Sequence, residues 1–183
     1  MSSVVGERYD RPAIFLHWLQ AGLVIALLII GWMMTDLPKG PARTAPYALH
    51  KSLGLCALLL IFVRIAWRRI HAPPAAATQL KPWENRLSSV VHHALYFVLV
   101  LAPLAGYLSA SFTKYPMKFF GLVLPSIGWP DDTLNAIFNN LHKGAVWVLM
   151  LLLALHVLGA LHHALRRDGV MSRMLPWGGG GGQ

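Results

Sequence analysis

Charge is scarce in this sequence. Asp, Glu, Lys and Arg together make up 13% of 183 residues, about half of the roughly 25% usual in a soluble domain. That shortage argues against a water-soluble globule. Acidic residues are fewest, seven against sixteen Lys and Arg, for a net charge of +9. The basic residues are scattered between apolar runs, so the basic stripe that nucleic-acid binding requires on a soluble fold is missing and nucleic acid is excluded as a partner. Cysteine is nearly absent. Cys56 stands alone inside an apolar run, which rules out an internal disulfide, and no C-x-x-C-H offers covalent cofactor attachment. It reads as a small buried hydrophobe. There is no nucleophile elbow, and the glycine run at 178–182 lacks the Lys and the helix that phosphate binding needs.

What the sequence has is apolar length. Four long hydrophobic runs cover 13–34, 49–67, 87–110 and 139–165. Each matches the roughly 20 residues that a helix needs to cross a hydrocarbon core. Helix is the state required, because lipid supplies no partners for an open backbone. The first run is too long for the apolar part of a cleaved signal peptide and has no small-residue cleavage site. The intervening stretches 36–46, 71–86 and 111–138 read as loops, the last with room for a short surface helix. The chain reads as one domain over 1–176, an all-α integral membrane four-helix bundle, followed by a disordered Gly-rich tail at 177–183. Arg8, Arg11, Arg64, Arg68, Arg69, Lys81, Arg86, Arg166, Arg167 and Arg173 fall on one side. Lys39, Arg43, Lys51, Lys114, Lys118 and Lys143 fall on the other. The positive-inside rule then puts both termini in the cytoplasm.

Nine histidines are many for a membrane chain, and ionisable groups at such depth are costly and mark function. By helix parity His17 lies near the inner end of the first helix. His50 and His142 open the second and fourth helices at the outer face. His156 follows His142 by fourteen residues, a rise of about 21 Å with a drift of only about 40° round the helix. His142 and His156 thus point the same way at two depths. His50 reaches the level of one and His17 the level of the other. Two facing imidazoles at each of two levels is what bis-histidine ligation of two non-covalent b haems requires. His92 or His93, opening the third helix, could take the place of His17. Arg64, fourteen after His50, reaches the inner level, either to pair with a haem propionate or to snorkel to the interface. Gly54 and Gly144 leave room for a flat macrocycle against the backbone, or for ordinary helix packing. Zinc fits poorly, since four ligands in one tetrahedron are not available at either level.

The motifs FLHWL (15–19), LHKSLG (49–54), VRIAWR (63–68), HHALYFVLVLAPLAGY (92–107), FFGLVLP (119–125), LHKGA (141–145), ALHVLGALHHALRRDG (154–169) and RMLP (173–176) together resemble the prokaryotic cytochrome b561 family. That family includes di-haem cytochrome subunits of nickel–iron hydrogenase and formate dehydrogenase. The resemblance implies one haem on His17 and His156 and another on His50 and His142, in a bacterial inner (plasma) membrane. Among short free-standing members it implies superoxide:ubiquinone oxidoreductase activity, with ubiquinone as acceptor. On that reading Lys51 and Lys143, each directly after an outer ligand, guide the superoxide anion, or else pair with propionates or lipid phosphates. His92, Arg64 and His162 are candidate quinone-lining residues. His162 and His163 stand one residue closer to His156 than the family's spacing, which turns them by about 100°. The alternative is a non-catalytic electron-transfer subunit docked to a dehydrogenase, a hydrogenase or a periplasmic redox partner. Nothing in the sequence specifies an oligomeric state.

Overall fold

The computed structural model describes residues 8–38, 40–72, 74–75 and 80–176. Lys39 and the Gly-rich tail at 177–183 lie outside the described residues. Four long helices make up most of the chain: α1 Arg11–Asp36, α2 Pro41–Ile70, α3 Pro82–Ser111 and α4 Asp132–Arg166. All four are long and apolar enough to cross a membrane.

Helices α1, α3 and α4 run past their apolar stretches because polar residues start them. Asp10 caps α1, accepting the Ala13 N–H at 3.1 Å, and Asp131 caps α4, accepting the Leu134 N–H at 2.9 Å. Pro82 opens α3, where the Glu84 carboxylate accepts the Lys81 N–H at 2.8 Å. Proline costs little in a first turn, whose N–H groups have no helical partner. The same logic corrects the expected loop at 36–46: Pro41 is the first residue of α2, and Pro46 lies inside the helix. His50, His92 and His142 therefore lie well inside their helices rather than opening them.

The long connection after α3 also departs from expectation. In place of a surface helix it folds a two-stranded antiparallel hairpin, β1 Lys118–Phe119 with β2 Leu122–Val123. Phe120 and Gly121 turn it with φ of 46° and 94°, the paired positive φ of a tight hairpin turn. The hairpin sits on α2. The Phe120 N–H donates to Ser52 Oγ at 2.9 Å, and that hydroxyl donates to the Ala48 carbonyl at 2.9 Å.

Helix α3 packs most extensively on α4, α1 on α2, and α2 on α3. The buried core is thin: Val24, Leu95, Val98, Ala102 and Leu149 belong to one cluster of mostly aliphatic and small residues. Large side chains such as Phe15, Trp32, Leu59, Phe97 and Leu151 point outward. That inverted distribution suits lipid as the solvent, since lipid tails leave helices no hydrophobic reason to hide such residues. Cys56 is half-buried rather than fully enclosed. At one end of the bundle the start of α1 meets the segment after α4. The Trp18 indole donates to the Met174 carbonyl at 2.8 Å, Trp67 donates to Asp10 at 2.7 Å, and Arg166 pairs with Glu84 at 2.9 Å.

Candidate functional site: two layers of paired histidines

Two pairs of imidazoles face each other across the bundle. His17 on α1 and His156 on α4 have ring centroids 6.1 Å apart. His50 on α2 and His142 on α4 have theirs 6.2 Å apart. All four are half-buried. Val24, Ala145 and Leu149 of the apolar cluster fall between the two levels in chain position.

The His50–His142 pair, called outer here after the orientation expected from the Lys and Arg distribution, as the His17–His156 pair is called inner, is seated on helix backbone. His142 Nδ1 lies 2.7 Å from the Ala102 carbonyl oxygen. A carbonyl can only accept, so Nδ1 carries the proton and Nε2 keeps its lone pair free for a ligand. Orientation of a metal-binding imidazole by a backbone carbonyl is a common arrangement. One turn past Ala102 stands Gly106, where a Cβ would come within 3.1 Å of His142 Nδ1. The pattern repeats at His50. A Cβ on Gly31 would lie 3.2 Å from His50 Cε1. One turn before Gly31, the Leu27 carbonyl is the backbone acceptor acting on that ring. It falls short of full hydrogen-bond geometry, for His50 Nδ1 is buried with no partner that meets it.

The inner pair is surrounded by side chains instead. The Arg64 guanidinium lies beside His17, its Nη2 3.3 Å from Nδ1. Its guanidinium carbon stands 5.5 Å from the Tyr96 ring centroid, with that of Arg68 at 5.7 Å from the same ring. His92 is drawn into this layer, its ring edge-on to His156 at 5.2 Å. Its Nδ1 donates to the Ser88 carbonyl at 2.6 Å.

Other residues singled out from the sequence fall less tightly into place. Lys51 is half-buried and Lys143 exposed, each next to an outer-pair histidine. A Cβ on Gly54 or Gly144 would meet nothing within 4 Å, so both offer an open face. His162 is exposed, and its ring contact is with His163 at 5.5 Å, away from the inner cluster. His163 is bonded to Asp168 at 2.7 Å, and His93 to the Ser89 carbonyl at 2.7 Å. Of the outer basic residues, Arg43 is engaged at the end of α1, donating to the Met34 and Thr35 carbonyls at 3.3 and 3.2 Å.

Comparison with known proteins settles the family. The model of prokaryotic cytochrome b561 matches residues 8–177. The chain belongs to the prokaryotic cytochrome b561 family. It is 31% identical over 173 residues to "Cytochrome b561 homolog 2" of Escherichia coli (strain K12), covering 92% of each chain. It is 25% identical over 179 residues to "Cytochrome b561 homolog 1" of the same organism, covering 93% of this chain and 98% of that one. A Yersinia pestis protein named "Probable superoxide oxidase CybB" is 28% identical over 178 residues, with 93% and 97% covered. This cytochrome is thus a multi-pass, electron-transferring membrane protein that binds b-type haem.

The residues present fit that group. Among the described residues no cluster of three or more His, Cys, Asp or Glu side chains could hold a bare metal ion. Two imidazoles alone suit an iron whose other four positions a porphyrin fills. His17 with His156, and His50 with His142, would hold a haem iron between rings whose centroids stand 6.1 and 6.2 Å apart. His92 also approaches His156, its ring centroid 5.2 Å away and edge-on.

Sequence reasoning missed four residues of this site in the cytochrome. Gly31 and Gly106 were invisible because only the packing of one helix on another shows which ring a glycine faces. Tyr96 was passed over as one aromatic among many. Gln20 had a signal, being the one amide in α1, three residues after His17. It is 2% exposed, and both its amide atoms lack a hydrogen-bond partner among the described residues. An orphaned buried amide costs about 1–3 kcal/mol, so apolar packing alone does not account for burying Gln20 three residues from His17.

Proposed function

We propose that this cytochrome carries electrons from an outer donor to the quinone pool as a superoxide:ubiquinone oxidoreductase. Two haems b would be held, one by His17 and His156 and one by His50 and His142. The observation that carries the reading is the pair of imidazole couples at 6.1 and 6.2 Å, each bridging different helices. Haem bound at these pairs supplies one-electron centres. The overall reaction balances as two superoxide anions and two protons with one ubiquinone, giving two dioxygen molecules and one ubiquinol. The relative named as a probable superoxide oxidase supports the choice of donor.

The protein's own residues divide the work. His142 is oriented by the Ala102 carbonyl so that Nε2 faces inward across the layer. Lys51 and Lys143, beside the outer ligands, draw an anionic substrate toward that level, and attraction of this kind raises encounter rate. Arg64 and His92, gathered at the inner pair, line the region where a quinone would be reduced; His162, exposed and in contact with His163, would add a further lining residue or deliver protons. The distribution of Lys and Arg supports a bacterial inner membrane with both termini cytoplasmic.

Stopped-flow mixing of the purified holoprotein with superoxide tests the reading. Haem reduction should be fast, should fall as salt rises, and should slow several-fold in a Lys51→Gln, Lys143→Gln double variant. Added ubiquinone should reoxidise the haem. A cytochrome that ignores superoxide yet accepts electrons from a purified dehydrogenase or hydrogenase would instead be a docked electron-transfer subunit.

A further inference from the structure

The outer imidazoles differ from the inner ones in what stands behind them. A Cβ at Gly106 would lie 3.1 Å from His142 Nδ1 and 3.3 Å from Cε1, and a Cβ at Gly31 would lie 3.2 Å from His50 Cε1. At such distances the ring must give by a few tenths of an ångström. No described glycine bears on His17 or His156 in this way; Gly22 and Gly159 of the same helices meet nothing within 4 Å. Gly106 also follows by one turn the Ala102 carbonyl that accepts from His142 Nδ1. Both glycines occupy helix interiors, where local propensity favours alanine over glycine. The same arrangement thus occurs on two helices, α1 and α3, against two rings.

We infer that Gly31 and Gly106 are positioning residues of the outer pair: by leaving out a side chain they let the His50 and His142 rings press against helix backbone, where the Ala102 carbonyl holds the His142 Nδ1–H. The inference rests on the reading of these histidines as haem ligands. A hydrogen bond from Nδ1–H makes the imidazole a stronger donor through Nε2. A stronger donor favours ferric over ferrous iron. Alanine at Gly106 pushes the His142 ring off its seat and weakens that bond, alanine at Gly31 displaces the His50 ring, and either change shifts the balance toward ferrous iron. Haem affinity typically changes 10–100-fold when such an outer partner is lost. A tenfold difference in that change between the two oxidation states corresponds to about 59 mV for one electron.

The experiment is a spectroelectrochemical titration of the purified holoprotein, with low-temperature EPR of its ferric form. Gly106→Ala, Gly31→Ala and, as a control, Gly22→Ala are compared with the parent. Gly106→Ala and Gly31→Ala should each raise one midpoint potential by about the tenfold equivalent and move one low-spin EPR signal. The second centre should stay put, and Gly22→Ala should change neither. Loss of that one haem with the other retained would also support the seat. His142→Ala, which should remove the outer haem, identifies the affected centre. Unchanged potentials and spectra in both glycine variants, or equal changes at both centres, would overturn the inference. Should His142→Ala keep both haems, the ligand assignment itself falls. Should it lose one while both glycine variants behave as the parent, only the seat falls. If Gly106→Ala does not assemble, Gly31→Ala tests the same claim on a different helix.

Discussion

The two histidine layers are alike in spacing and unlike in support. The outer rings are backed by helix backbone, at Gly31 and Gly106, and their level is overhung by a hairpin pinned to Ser52, two residues past His50. The inner rings are backed by cations and aromatics: Arg64 on His17, Arg64 and Arg68 beside Tyr96, and His92 on His156. Backbone dipoles are fixed in place, whereas guanidiniums on long stems rearrange and carry full charge. One fold therefore offers two similar ligand pairs in two electrostatic settings. If each pair holds a haem, as proposed above, that difference would separate the two potentials.

The sharpest way to break the comparison is to remove ligands layer by layer. His142→Ala or His50→Ala should cost one haem, read from the reduced-minus-oxidised spectrum, and His17→Ala or His156→Ala the other. Each should lower quinone reduction at least tenfold. Loss of both haems from any single variant would show that the layers are not independent. Next in size is the charge at the inner layer. A cation near iron disfavours the ferric state, so Arg64→Leu should lower the inner midpoint potential by about 59 mV, a tenfold change in the ferric–ferrous balance, and leave the outer one unmoved. Ser52→Ala should be milder. It strands the Phe120 N–H at a cost of about 1 kcal/mol, read as roughly fivefold faster amide exchange across 118–123, with dithionite reaching the outer haem sooner.

The smallest effect belongs to the inner face, at the end of α4. Burial works to raise the Asp168 carboxyl, but the hydrogen bonds from His163 and the Val170 N–H outweigh it, leaving the group below the ordinary carboxylate range. A carboxyl depressed in the folded state adds stability above its unfolded value and loses it as pH falls through the folded one. Asp168 therefore helps hold the segment after α4 at neutral pH and releases it in acid. Amide exchange at 168–175 should rise as pH drops through the carboxylate range. Asp168→Asn should flatten that dependence while leaving both haem spectra unchanged.

Much of this molecule was legible in its residues taken in order. Apolar run length demands four helices wherever lipid is the solvent, and a spacing of fourteen puts His142 and His156 on one face at two depths by helix arithmetic alone. Helix ends were less legible, because Pro41 and Pro82 punctuate a loop and open a helix with equal ease. What only packing in three dimensions decided is which groups lie across from one another. It brought His92 into the inner layer and turned His162 out of it, and it placed Gly31 and Gly106 behind the outer rings. Periodicity reports which way a side chain points from its own helix. What waits on the other side depends on the rotation and depth of a neighbouring helix, and these are set by contacts far apart in the chain.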